Sequence, residues 1–360
     1  LPARLFQSIP NKRDFLARSL GATGGLRLLE RLAEARRTLV VLTYHRIAPR
    51  GVGADPYYDP VISATPEGFR DQMRMVRDRF QIVRPEDLAG GASVANGRKP
   101  LAMVTFDDGY RDNHDAALPI LQELEIPATF FIPTDFFERP RLPWWDHVAY
   151  CLKTTPAPRL VLKRTDDDAS PLTIELGPDP TPDARTEAIM RVIRAVLAGE
   201  VPDQAAFLAR LEAQAKVAVD SPTLGRDLFM TWEHLKRLVA RGHTIGSHGH
   251  GHVALATLPD TLQRREFALS RTILEAAVGR PVKTVAYPYG WPGAFTPRTI
   301  ELAADAGYTV GFTALEGVNH LDAPDFAPLA LRRLNIGAGD TPALLRSRAA
   351  IHAALGKSWL

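Results

Sequence analysis

Cysteine is almost absent from this chain. Cys151 is the only one in 360 residues, so no internal disulfide can form and no thiolate zinc site can be built. Long apolar runs are missing too, and nothing approaches the roughly 20 residues that a bilayer-spanning helix needs. Charge of one sign is also lacking. Lys and Arg number 44 against 41 Asp and Glu, a formal net charge of +3. That balance gives no field for holding a phosphate backbone, so nucleic acid is not expected as a partner. No signal peptide is visible. The chain starts at Leu1 rather than Met, so the compartment stays open.

What is present is a regular alternation of short apolar runs and amphipathic stretches. Leu39 to Tyr44, Leu101 to Phe106, Ala128 to Ile132, Thr244-Ile245, Val282 to Ala286, Tyr308 to Phe312 and Leu329 to Ile336 read as strands. Glu67 to Phe80, Ala117 to Leu124, Thr231 to Ala240, Thr261 to Val278 and Thr296 to Ala306 read as helices between them. Strands alternating with helices predict an α/β fold around a parallel sheet, open or closed as a barrel. Character changes after Cys151. Two short strands flank Thr165-Asp166-Asp167-Asp168 like a hairpin, and two helices follow over Asp183 to Leu197 and Asp203 to Ala218. The expected organisation is an N-terminal segment over 1–38, a main domain over 39–153 and 229–340, a small α+β insertion over 154–228, and a C-terminal helix over 341–360. Asn11 to Arg37 is basic and amphipathic, interrupted by Gly21 and Gly24-Gly25. Such a segment usually packs on its own domain, and contact with a membrane surface is the alternative.

The chemistry concentrates where strands end. Leu101 to Phe106 runs directly into Asp107-Asp108-Gly109-Tyr110. Two adjacent carboxylates at the end of a buried strand repel each other, and a divalent cation is the usual remedy. One Asp would then be a ligand and the other a free base. The turn Gly246-Ser247-His248-Gly249-His250-Gly251-His252 places two imidazoles four residues apart, a spacing that lets them converge on one metal. Asp plus two His leaves open positions on a zinc-like ion, the pattern of a catalytic site. In a parallel α/β fold the C-terminal ends of strands gather on one face. His45 follows the first strand and becomes a candidate general acid. Tyr287-Pro288-Tyr289 follows another strand. Trp144 and Trp145, before the insertion, suit either a sugar-stacking rim or an anchor for the subdomain.

Thr105-Phe106-Asp107-Asp108-Gly109 and His248-Gly249-His250-Gly251-His252 resemble the first two signature motifs of the polysaccharide deacetylases, carbohydrate esterase family 4. The resemblance spans roughly 39–336. It implies a distorted (β/α)7 barrel carrying the insertion, with Asp107 as catalytic base and Asp108, His248 and His252 as metal ligands. The Tyr110 backbone N–H would help hold the oxyanion. The implied metal is divalent, Zn2+ first, with Co2+ and Ni2+ as alternatives. The implied substrate is an N-acetylated carbohydrate, contacted by Tyr287, Pro288, Tyr289, Trp145 and Arg333.

Three departures qualify this pattern. Gly249 replaces the usual Ser or Thr, and His250 is an extra imidazole that rivals the two ligands. The third motif reads Ala286-Tyr287-Pro288-Tyr289, without the Arg that orients the base; Arg333 on the last strand could replace it sterically. The usual C-terminal His motif is not evident, and Thr43-Tyr44-His45 supplies a substitute. In these respects the chain is similar to the circularly permuted poly-N-acetylglucosamine deacetylases. The implied chemistry is metal-assisted amide hydrolysis, releasing acetate and an amino sugar after His45 protonates the leaving amine. A small-molecule amidohydrolase or esterase of the same fold, or a carbohydrate binder that has lost activity, remains an alternative. Location is open between a bacterial-type cytoplasm and the cell envelope.

Overall fold

Seven parallel strands close on themselves in chain order: β1 (Thr38–Tyr44), β2 (Leu101–Phe106), β3 (Thr129–Ile132), β4 (Thr244–Ser247), β5 (Thr284–Ala286), β6 (Val310–Glu316) and β7 (Leu331–Asn335). The ring closes because β1 pairs on one side with β2, Leu39 to Leu101 through Tyr44 to Phe106, and on the other with β7. The computed structural model that shows this describes residues 37–49, 55–88 and 99–355, with Leu26, Leu29 and Glu30. The amphipathic segment expected over 11–37, and any membrane contact it makes, otherwise lies outside the described residues. No described helix is long and apolar enough to cross a membrane.

Most strands are buried on both faces, which is why they read as continuous apolar runs rather than as alternating ones. Alternation survives in where the side chains go. Leu39, Val41, Leu101, Met103, Phe131, Ala286, Val310, Phe312 and Leu331 fill the interior as one cluster. Their neighbours point outward under the helices. Tyr44, Phe106 and Phe130 pack there, with the Phe106 and Phe130 rings stacked at 4.8 Å and Phe69 of the helix Pro66–Arg79 edge-on to Tyr44 at 5.1 Å.

Two connections depart from the strand-helix-strand pattern. Between β6 and β7 there is no helix; the short strand Asn319–His320 runs antiparallel to β1 instead. Between β3 and β4 the chain leaves to form a second unit. By packing, Arg139–Leu228 together with 55–59 make this unit, and the other described residues make the barrel unit. In the second unit, strands Arg159–Leu162 and Leu172–Glu175 form an antiparallel hairpin. Helix Trp144–Thr154 packs there on Pro182–Leu197 and Gln204–Ala215. That packing draws 139–153 into the second unit, whereas the change in composition had suggested a boundary at 154.

Three local features were not anticipated. Asn113–Ala117 is a π-turn at the head of the helix Leu118–Glu123. Ser221–Leu228 is helical. The expected turn at Gly246 is strand as far as Ser247, because Gly246 sits against the Phe131 ring and only a residue without a Cβ fits between the strands.

Candidate functional site

The alternation that fills the barrel also builds the site. Leu101, Met103 and Thr105 point inward, so Asp107 is next on the same face. Gly246 points at Phe131, so His248 follows inward on β4. Leu331 points inward on β7, so Arg333 does too. Three strand ends thus bring an acid, an imidazole and a guanidinium to one interior layer.

Arg333 grips Asp107 with both prongs, Nη1 to Oδ1 at 2.9 Å and Nη2 to Oδ2 at 2.8 Å, while its Nε donates to the Thr313 carbonyl at 2.6 Å. Both residues are nearly inaccessible, at 1% and 2% exposure. Burial alone would raise the Asp107 carboxyl, but Arg333 and then His248 outweigh it and hold the acid below its ordinary value. A bidentate guanidinium also fixes the carboxylate's orientation.

Asp108 turns the other way. Its φ of +70° followed by Gly109 at +73° swings the chain through the left-handed region, and a Cβ on Gly109 would sit 2.8 Å from the Phe137 ring. Asp108 Oδ1 then lies 3.1 Å from His252 Nε2 and 3.5 Å from His248 Nε2. It is buried and receives no well-aligned hydrogen bond. The His248 Nδ1–H donates to the Ala286 carbonyl at 2.8 Å, which fixes the tautomer and aims Nε2 inward. Burial pushes the His248 imidazolium down to about 4. Burial would raise Asp108, but the neighbouring His252, then His45 and His248, hold it far down. An ionised carboxylate and two imidazoles have donor atoms within 4.8 Å of one another. This oxygen and nitrogen set suits a divalent ion of the zinc type and leaves positions open.

The loop after β4 is held from behind. Glu266 accepts the N–H groups of His250 and Gly251, both at 2.8 Å. The His250 ring points away from Asp108, with Nδ1 2.8 Å from the Thr134 hydroxyl, so the structure does not make it a rival ligand. His252 and Tyr289 both carry left-handed φ, +52° and +63°. For residues with side chains this costs about 1–3 kcal/mol each, and such strain gathers at functional sites.

His45 is half-buried behind β1. Its backbone is pinned by the Ser63 hydroxyl at 2.9 Å and by Asn113 at 2.6 Å, and its charge is among those that depress Asp107 and Asp108. Asp112 completes this mount by accepting from Arg46 Nε at 2.8 Å and Ile47 N–H at 3.0 Å. Tyr110 lies opposite Phe229 in a bridge closed by Met230 N–H to Gly109 O. In that register the Tyr110 N–H is directed away from Phe229.

Tyr287 is corrected by the structure. Ala286 points inward, so Tyr287 points outward; it is fully buried against Phe295, and its hydroxyl donates to the Leu329 carbonyl at 2.8 Å. It is a core residue, not a sugar contact. Pro288 is buried beside Gly249. Tyr289 stays at the site, edge-on to His252 at 5.0 Å, and leans on half-buried Trp291 at 4.9 Å. Trp291 was missed in the sequence; its aromatic neighbour two residues before it was the available signal. Trp145 is 6% exposed and packs edge-on to Trp144 within the second unit.

Solved structures share this fold, among them the following three. The deacetylase PplD of Streptococcus pyogenes, solved with acetate, is 18% identical with a TM-score of 0.55, over 86% of this chain and 97% of that one. A de-N-acetylase from Aggregatibacter actinomycetemcomitans is 15% identical with a TM-score of 0.53, over 84% of this chain and 96% of its own. IcaB from Ammonifex degensii is 19% identical with a TM-score of 0.52, over 88% and 97%. No curated protein matches in sequence. The sequence model described as "Polysaccharide deacetylase" matches residues 95–155 and 163–311, more than half of the chain. With the Asp-Asp and His motifs brought together at the barrel mouth, the chain belongs to the polysaccharide deacetylase family, whose activity is the removal of acetyl groups from carbohydrate.

Proposed function

We propose that this protein hydrolyses the acetamide of N-acetylhexosamine units in an oligo- or polysaccharide, using a divalent metal. The observation that carries this reading is the division of labour between two adjacent aspartates. Arg333 holds Asp107 and two imidazoles face Asp108. Asp108, His248 and His252 would hold the ion, with zinc the first candidate from the donor set. Bound there, a divalent cation supplies Lewis acidity toward a carbonyl oxygen and acidifies water.

The chain's own residues do the rest. Arg333 keeps Asp107 ionised and aimed, so Asp107 can take the proton of the attacking water. The Tyr110 N–H is directed away from Phe229 and serves the developing oxyanion. His45 gives a proton to the departing amine. Tyr289 and Trp291 offer ring surface to the sugar. Neutral His248 and ionised Asp108 are the forms a cation requires. The Aggregatibacter neighbour is a de-N-acetylase, which agrees with an amide rather than an ester as the bond broken.

The test compares acetate release from N-acetylglucosamine oligosaccharides and from acetyl esters with ring-opening hydrolysis of cyclic imides. Asp107→Asn is expected to keep the fold and lose ~10²–10⁴-fold in turnover. His45→Ala should harm acetamide cleavage far more than cleavage of an activated aryl acetate, whose phenolate departs without a proton. Preferred turnover of imides or esters by the wild type would replace this reading with the small-molecule hydrolase.

A further inference from the structure

We propose that the cavity walled by His114, Asp115, Arg237 and Arg241 is a second binding site, one that takes an oxyanion: a phosphate or carboxylate group.

The cavity measures about 520 Å³ and lies between the π-turn Asn113–Ala117 with its following helix and the helix Trp232–Ala240. Arg237 and Arg241 are four residues apart, so one face of the chain presents both. Neither makes a side-chain hydrogen bond or an ion pair among the described residues. Some other arginines are committed to carboxylates: Arg264 pairs with Asp305, Arg271 with Glu275, and Arg298 with Asp260 and Glu301. Asp115 is the one carboxylate on the cavity wall, and it is engaged with His114 Nδ1 at 2.8 Å. Arg111 and Arg237 also lie close enough to His234 to bear on its charge. Positive groups therefore outnumber negative ones.

A cation does not suit this place, although His114, Asp115 and His234 have donor atoms within 4.8 Å of one another. The two rings are stacked, 4.3 Å apart and inclined by 26°, so their lone pairs, which lie in the ring planes, do not converge. His234 Nδ1 is already an acceptor for the Thr231 N–H at 3.1 Å. Nearby guanidinium groups would repel a metal. The same groups are the fork-shaped donors that match phosphate and carboxylate oxygens.

The cavity is tied to the metal-binding loop. Arg111 follows Asp108 by three residues, and the Met230 N–H to Gly109 O bond joins the two segments that carry Arg111 and His234. Whether the anion is free or carried by the polymer is decided by the second arm of the test; the anion site itself does not depend on the proposed deacetylation.

Binding is tested first with inorganic phosphate, followed by the imidazole NMR signals of His114 and His234. Phosphate should shift both signals. The double variant Arg237→Gln/Arg241→Gln, at exposed positions in the last turn and C-cap of the helix Trp232–Ala240, should weaken binding about tenfold or more, since charge-assisted bonds are the strong ones. Arg264→Gln, a charge removal on another helix, should leave binding unchanged. Unshifted signals, equal affinity in the double variant, or equal weakening by Arg264→Gln would each overturn the site. The second arm compares KM for a neutral N-acetylated oligosaccharide and for one bearing a phosphodiester or uronate. If the anion is carried by the substrate, the double variant raises KM only for the acidic one, with kcat unchanged. Phosphate binding without any KM difference assigns the site to a free anion and ends the link to the polymer. A protein that binds phosphate but releases no acetate keeps the site and sinks the deacetylase reading.

Discussion

Two clusters in this molecule contain the same residues, two histidines and an aspartate, and are proposed to take ligands of opposite charge. Asp108, His248 and His252 are nearly inaccessible, with both Nε2 atoms facing one carboxylate oxygen. His114, Asp115 and His234 are partly exposed, with rings stacked face to face beside arginines. The difference teaches that donor types do not define a metal site. Convergent lone pairs, burial and the sign of the surrounding charge do.

The sharpest way to break this comparison is to exchange the targets. His248→Ala should abolish bound metal and activity, a larger loss than the roughly 10–100-fold typical of removing a supporting partner. His114→Ala should leave metal content at one ion per chain, measured by elemental analysis of dialysed protein. Metal loss in His114→Ala, or full occupancy in His248→Ala, would reverse the assignments.

Next in size is Arg333→Met. It leaves Asp107 buried without its partner, which typically costs ~3–5 kcal/mol of stability. With Arg333 gone, the Asp107 pKa should rise, so the acid limb of the pH–rate profile should move to higher pH. An unchanged acid limb would mean that Asp107 is not the titrating base.

A smaller effect follows from His248, pushed down to about 4 by burial. In the unfolded chain an imidazole takes its proton near pH 6.5, while the folded, metal-free protein keeps His248 neutral until about 4. The unfolded state therefore binds more protons between these values, and His248 should contribute a fall in stability of about 3 kcal/mol as pH drops through that window, and none above it. Urea unfolding of metal-free protein at several pH values checks this; because burial pushes His243 to about 4 as well, His248→Gln should remove about half of the slope, and His248→Gln with His243→Gln most of it. His234 is also lowered, by burial and then by His114, but it is far more accessible, so His234→Gln should leave most of the slope in place.

The smallest effect sharpens the comparison from the other side. Arg237→Gln and Arg241→Gln should alter stability by no more than about 0.5 kcal/mol, as exposed residues without partners do. A larger loss in thermal unfolding would make them structural.

Strand order and the acidic motif were legible because they are local. An apolar run followed by Asp107-Asp108-Gly109 needs no distant residue to be recognised, and the two-residue period of a strand carries Asp107 to the inner face. The spacing of His248 and His252 was legible for the same reason, since one turn of chain brings both to Asp108.

What the sequence left open depended on closure. Arg333 is 226 positions from Asp107, and only the pairing of β7 with β1 and β1 with β2 brings the last strand beside the acid. Alternation after inward Ala286 turns Tyr287 outward, and the layer of helices around the closed barrel is what buries it there, leaving Tyr289 and Trp291 at the site. His250 looked like an equal of His248 in the sequence, because ring direction does not show in residue order; Thr134 and Glu266 hold that part of the loop and turn the ring away. Local chemistry set which groups were available, and the closed barrel decided which of them meet, because distance along the chain carries no information about distance across a ring of strands.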